Sequence, residues 1–326
     1  MRFLNDLIIT VLIILGIAAS YFYVPSKAKT LDKKISELQS VELGMEKRSL
    51  AGEYEEYMLK NLPEKTAKLY FYWFSHQRKL SDLRVGRAVD EIKNTQIDSG
   101  KIKVWSLLNM GAVVKTGGKT IAFDTANLPF SAAHNGLLDL VDVFIVSHAD
   151  GDHFDPELLK KAIEKGKKVV MLEGMDIKSD KRENIILLPS GETVDIDGVK
   201  ITAYQTDHRG NGSFIEPCAW FMVEVNGFKI LHTGDGRDFK NKNEYNKVYV
   251  SKDIDILLGN VQLHPYNIRD LKPKVLIPLH LYKFMGDRDL YEESTIEKAL
   301  ENYGKYQSEL KGIKIIYLLP GEGFLF

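Results

Sequence analysis

A mostly apolar run, Val141–Val146, leads straight into His148-Ala149-Asp150-Gly151-Asp152-His153. Four side chains able to bind divalent metals crowd into six residues at the end of an expected buried strand. An ordinary loop has no reason to concentrate imidazole and carboxylate in this way, and strand ends are where α/β folds place their chemistry. Downstream, Asp155-Pro156-Glu157 predicts a helix start: a capping carboxylate, proline at the first helical position and an acid in the first turn. That helix is expected to run to Lys165 and stop at Gly166. With a strand predicted at Lys168–Leu172, the cluster sits in the strand-to-helix loop of a βαβ unit.

Around this loop the sequence predicts many short strands. Lys103–Leu108, Ala112–Thr116 and Thr120–Phe123 precede it, with Gly117-Gly118 as a hairpin turn and Asp124 ending the third. Ile185–Leu188, Lys200–Thr206, Ala219–Val225, Phe228–His232, Ile254–Leu258, Val275–Pro278 and Ile313–Leu318 follow it. Many strands with few intervening helices suggest two sheets packed face to face, with helices outside. A chain of 326 residues can bury such a core. The one cysteine, Cys218, excludes an internal disulfide and a Cys-rich zinc module, so any metal must be held by His, Asp or Glu. Formal net charge is -1, which gives no global pull toward nucleic acid.

The ordered marks resemble the metallo-β-lactamase superfamily over residues 101–326. They are Asp124 after an early strand, the His148–His153 loop, His208 in Thr-Asp-His-Arg, Asp235 in His-Thr-Gly-Asp-Gly and His280 in Val-Leu-Ile-Pro-Leu-His. Gly111–Thr116 and Lys272–His280 are similar to its lactonase-like and phospholipase-D-like branch. The resemblance implies an α/β fold, an αββα sandwich, and two divalent ions: zinc foremost, with manganese or iron as alternatives. His148, Asp150 and His208 would hold one ion; Asp152, His153 and His280 would hold the other; Asp235 would bridge them. The implied attacking group is a metal-bound hydroxide, acting on a phosphodiester, a lactone or another ester. Asp152 belongs to this catalytic centre, and Asp124 would accept a hydrogen bond from a ligand imidazole. His264 reads either as a loop residue or as a substrate contact or acid; His232 fits packing or support behind the site.

One departure matters. The commoner family pattern has His where this chain has Asp150. A carboxylate hardens the ligand set toward manganese, iron or magnesium, and a single-metal site stays open. Asp also occurs there in the domain of DNA-uptake competence proteins, which makes a nuclease one rival function. A non-catalytic metal-binding or scaffold protein is the other.

The remaining regions carry no metal-binding cluster. Leu7–Val24 is uncharged and as long as a short membrane span, followed by a helix-favouring stretch over residues 27–100 read as a stalk and packing region. Residues 1–26 are expected to form a single-pass membrane anchor with the membrane side open; Ala18-Ala19-Ser20 also fits a cleaved signal peptide and secretion. The expected partner is a small-molecule or lipid substrate, and a tether near a bilayer favours a lipid or cell-envelope phosphodiester. Oligomeric state is not legible in the sequence.

Overall fold

The computed structural model describes residues 84–126, 133–208, 217–239, 246–249, 253–280, 304, 308–318 and 320–326. The expected anchor, most of the stalk and residues 281–300 lie outside the described residues. Among the described residues no helix is long and apolar enough to cross a membrane. Residues Ser81–Phe326 form one compact unit. Helix α1, residues 84–94, therefore falls in this unit, before the boundary expected at residue 101. Its Val85, Ala88 and Ile92 share one face at helical spacing and are buried in the main core.

Two sheets carry the fold. The first contains β1 (Ile102–Ser106), β2 (Ala112–Thr116), β3 (Lys119–Phe123), β4 (Val143–Val146), β5 (Lys168–Leu172), β6 (Ile185–Leu188) and β15 (Gly323–Leu325). Their order is β15-β1-β2-β3-β4-β5-β6. The β2–β3 hairpin turns at Gly117-Gly118, where Gly118 takes φ 85°, a conformation that glycine adopts without strain. Helix α2 (Pro156–Glu164) starts where the sequence predicts: Asp155 accepts hydrogen bonds from the N–H groups of Glu157 and Leu158. Its Leu158, Leu159, Ala162 and Ile163 join the core of this sheet.

The second sheet has β11 (Asp238–Phe239), β8 (Val199–Asp207), β9 (Cys218–Val225), β10 (Phe228–His232), β12 (Ile256–Asn260), β13 (Val275–Leu279) and β14 (Lys314–Ile315) in that order, with β7 (Thr193–Ile196) beside β8. The last predicted strand, Ile313–Leu318, is shorter than expected, because only Lys314 and Ile315 pair with β13. β11 and β15 are short and lack apolar alternation, and β7 alternates over only four residues, Thr193–Ile196, so the sequence did not announce them.

Alternation within the second sheet reveals the layering. Val199, Ile201, Ala203, Phe221, Val223 and Ile230 bury into the cluster shared with the first sheet. Tyr204, Trp220, Met222, Leu231, Leu257 and Leu276, at intervening positions, bury into a separate cluster. Helix α3 (Pro265–Leu271) contributes Ile268 and Leu271 to that second cluster. One face of the sheet therefore meets the other sheet and the opposite face meets α3, which is the two-sheet sandwich with outer helices.

The strand directions place the site. β3 and β4 are parallel; so are β10, β12 and β13; and β8, antiparallel to β9, runs with β10. Within each sheet the residues following these strands gather at one edge: Asp124 after β3, His148 after β4, His208 after β8, Asp235 after β10 and His280 after β13. The two sheets meet there through two backbone hydrogen bonds, His280 N–H to the Asn109 carbonyl (2.9 Å) and Ala219 N–H to the Ser147 carbonyl (3.0 Å).

Candidate metal centre

The structure brings Asp124, His148, Asp150, Asp152, His153, His208, Asp235 and His280 together. Three overlapping groups have ligand atoms within 4.8 Å of one another: Asp124-His148-His153, His148-Asp150-His208 and Asp152-His153-His280. The contacts divide into two halves. In the first, Asp150 Oδ2 lies 3.6 Å from His148 Nε2 and 3.2 Å from His208 Nε2, while Asp235 Oδ2 is 3.7 Å from His208 Nε2. In the second, Asp152 Oδ2 is 3.4 Å from His153 Nε2 and 3.5 Å from His280 Nε2, and Asp235 Oδ1 is 3.5 and 3.6 Å from the same two nitrogens. Asp235 thus turns one oxygen to each half.

These spacings suit ligands around a cation better than hydrogen bonds. Most lie beyond the usual N–H···O range. Four donors about 2.1 Å from a tetrahedral ion stand about 3.4 Å apart. The Nε2 atoms of His148, His153, His208 and His280 are buried and have no hydrogen-bond partner. Buried polar atoms without partners are rare, and four that converge on carboxylates fit a divalent metal.

Behind the ligands lies a set of supports. Asp124 is buried, with φ 43°, and its Oδ1 accepts the Ser147 backbone N–H at 2.7 Å. Its Oδ2 faces Ser147 Oγ at 2.6 Å and His153 Nδ1 at 2.8 Å. A carboxylate only accepts, so Ser147 spends its one hydroxyl proton on Asp124 and must accept from His148 Nδ1, 2.9 Å away. In their neutral form both imidazoles therefore carry their proton on Nδ1 and direct the Nε2 lone pair into the site. Asn260 Nδ2 donates to Asp235 Oδ1 at 2.7 Å, and Thr233 Oγ1 holds the Asn260 backbone N–H at 2.9 Å. Ser147, Asn109, Thr233 and Asn260 carry no spacing signal, and only the fold shows that they reach the site. Gly234, with φ 49°, lets the Thr-Gly-Asp turn pass against Ser147, where a Cβ would collide with the hydroxyl.

Charge follows from this packing. For Asp124, burial pushes the carboxyl pKa up, but His232, His153 and His148 outweigh it and hold the value below normal. Asp235 is likewise desolvated, yet His280, His153 and His208 hold it well below the carboxylate range. Burial depresses His153, while the carboxylates of Asp235, Asp124 and Asp152 raise it well above an ordinary histidine. Asp150 and Asp235 raise His208 to about 9. Burial and the neighbouring His153 lower His148.

Three residues lie elsewhere or do something else. His264, read from sequence as a loop residue or a substrate contact, caps α3: its Nδ1 accepts the Tyr266 N–H at 3.4 Å and its ring lies 4.2 Å from the Tyr266 ring. It joins none of the three groups, and its place in the structure is the cap of α3. His232 takes the supporting role: its Nδ1 accepts the Gly234 N–H, so Nε2 donates to the Met110 carbonyl at 2.9 Å. Cys218 is buried, and burial pushes its thiol up to about 12, which leaves it protonated and inert.

A sequence model of the beta-lactamase superfamily domain matches residues 112–280, and the chain belongs to this superfamily. A UPF0173 metal-dependent hydrolase of Thermococcus onnurineus (strain NA1) is 31% identical over 181 residues, spanning 50% of this chain and 78% of that protein. A UPF0173 metal-dependent hydrolase of Pyrococcus furiosus is 26% identical over 234 residues, spanning 67% of this chain and 96% of that protein. Among solved structures, CmlA, a diiron beta-hydroxylase from Streptomyces venezuelae, matches with a TM-score of 0.50 at 12% identity, covering 71% of this chain and 55% of that one. At that identity the likeness shows a shared fold alone.

Proposed function

We propose that the protein is a metal-dependent hydrolase that holds two divalent ions and cleaves an ester-type bond: a phosphodiester, a lactone or another ester of a small molecule or lipid. The observation that carries this reading is the convergence of four buried, unpartnered imidazole nitrogens on three carboxylates at 3.2–3.7 Å. His148, Asp150 and His208 would hold one ion, Asp152, His153 and His280 the other, and Asp235 both. When bound, such ions lower the pKa of water and supply positive charge beside a developing anionic oxygen. Asp124 and Ser147 fix the tautomers that present His153 and His148, and Asn260 orients Asp235.

The relatives named as metal-dependent hydrolases support the reaction class. Zinc is the first expectation; Asp150 in place of imidazole also suits manganese or iron. The uncharged run Leu7–Val24 supports a single-pass membrane tether for this enzyme, which favours a lipid or envelope-derived substrate.

Elemental analysis of protein purified without chelator tests the reading first, with about two transition-metal ions per chain expected. Generic phosphodiester and lactone substrates follow, with His153→Ala as control. Protein with no bound metal, or a His153→Ala variant with full metal and full activity, overturns it.

A further inference from the structure

We infer that Asn109 is a positioning residue for the half of the centre built by Asp152, His153 and His280, and that it holds His280 through one buried water. The inference rests on the proposed ligand roles of those residues.

Asn109 lies in the tight turn between β1 and β2, closed by hydrogen bonds from Leu107 N–H to the Gly111 carbonyl and from Gly111 N–H to the Leu108 carbonyl. Its φ of 50° is a left-handed conformation that asparagine tolerates better than most side chains. From there it reaches the centre at three points. Its backbone carbonyl accepts the His280 N–H at 2.9 Å, across the gap between the sheets. That bond clasps His280 where its own φ is 62°, an uncommon conformation for a histidine. Its Nδ2 points at Asp152 Oδ2, 3.4 Å away.

The third point is its carbonyl oxygen. Asn109 Oδ1 and His280 Nδ1 are both buried and both without a hydrogen-bond partner. Asn109 and His280 line the same small cavity, about 10 Å³, whose other walls are Ser106, Leu107, Leu279, Leu318 and Pro320. Such a cavity accommodates one water, provided polar partners are present. For His280 to offer Nε2 to a cation, its proton must sit on Nδ1, and a ligand imidazole normally gives that proton to an acceptor. Asp124 is the acceptor for His153 and Ser147 for His148. For His280, a water in this cavity accepts from Nδ1–H and donates to Asn109 Oδ1. Asn109 then supports two ligands of one half of the centre, and the other half does not depend on it.

The test compares full-length protein, stripped of metal, with Asn109→Gly, which keeps the backbone conformation and removes the amide. Both are titrated with Co²⁺, followed by visible absorption and calorimetry. The binding step that His280→Ala abolishes identifies the half in question. Asn109→Gly is expected to weaken that step by about 10–100-fold and shift its absorption band. The other step should stay within about threefold, and the melting temperature of the metal-free protein should change little. Wild-type affinity for both steps in Asn109→Gly overturns the inference alone. So does equal weakening of both steps, or a large loss of metal-free melting temperature, because each marks a general structural role. Wild-type protein that takes up no Co²⁺ overturns the inference together with the reading beneath it.

Discussion

Replacing Asp124 by Asn tests whether one buried carboxylate sets the tautomers on both sides of the centre. Asparagine has nearly the same shape and tolerates the φ of 43° at this position. The Ser147 backbone N–H, 2.7 Å from Oδ1, can only donate, so the amide oxygen must stay there. The NH₂ group then takes the place of Oδ2, where it faces Ser147 Oγ and His153 Nδ1. Ser147 Oγ becomes an acceptor and turns its own proton to His148 Nδ1; His153 Nδ1 becomes an acceptor too. Both imidazoles must move their proton to Nε2, the atom that faces the centre. Each half thus loses a lone pair, or regains it by leaving a buried hydrogen bond unmade at about 1–3 kcal/mol. At about 1.4 kcal/mol per decade, that is about a tenfold to hundredfold loss of metal affinity in each half. Chelator competition with Co²⁺ on folded Asp124→Asn protein measures it. Affinities within about threefold of wild type in both halves would refute the tautomer argument.

Three further outcomes follow from the same geometry. In metal-free protein the His208 pKa is raised from 6.5 to about 9. The stability it contributes is therefore complete below pH 6.5 and lost as pH climbs through about 9, whereas metal affinity gains over that window because the ion must displace the proton. Calorimetry in two buffers of different ionisation enthalpy should show proton release at pH 7.5, and a buffer-independent heat would count against it. Gly234→Ala puts a Cβ against Ser147 at a positive φ, and should cost about 1–3 kcal/mol in urea unfolding of metal-free protein while weakening metal binding; a loss below about 0.5 kcal/mol would contradict the packing described. Asp150→His replaces a hard oxygen with imidazole and should raise the zinc-to-manganese affinity ratio by about tenfold or more, as read by competition between the two ions.

The sequence by itself determined the chemistry and the local elements that carry it. The six-residue loop from His148 to His153, the Asp155-Pro156 helix start and the Gly117-Gly118 turn are written in contiguous residues, whose side-chain periodicity and capping chemistry act over a few positions. The metal-binding residue types were equally plain, because only imidazole and carboxylate were available to a chain with one cysteine. The tertiary structure decided everything that depends on residues far apart in sequence. His264 has the right side chain and follows a strand, yet the packing of α3 turns it into a cap. Asn109 and Asn260 are unremarkable polar residues in the sequence, and become supports because two sheets converge at one edge and leave Asp152, His280 and Asp235 beside them. Strand pairing and sheet packing are long-range, so which polar atom meets which partner is fixed only when the sandwich closes.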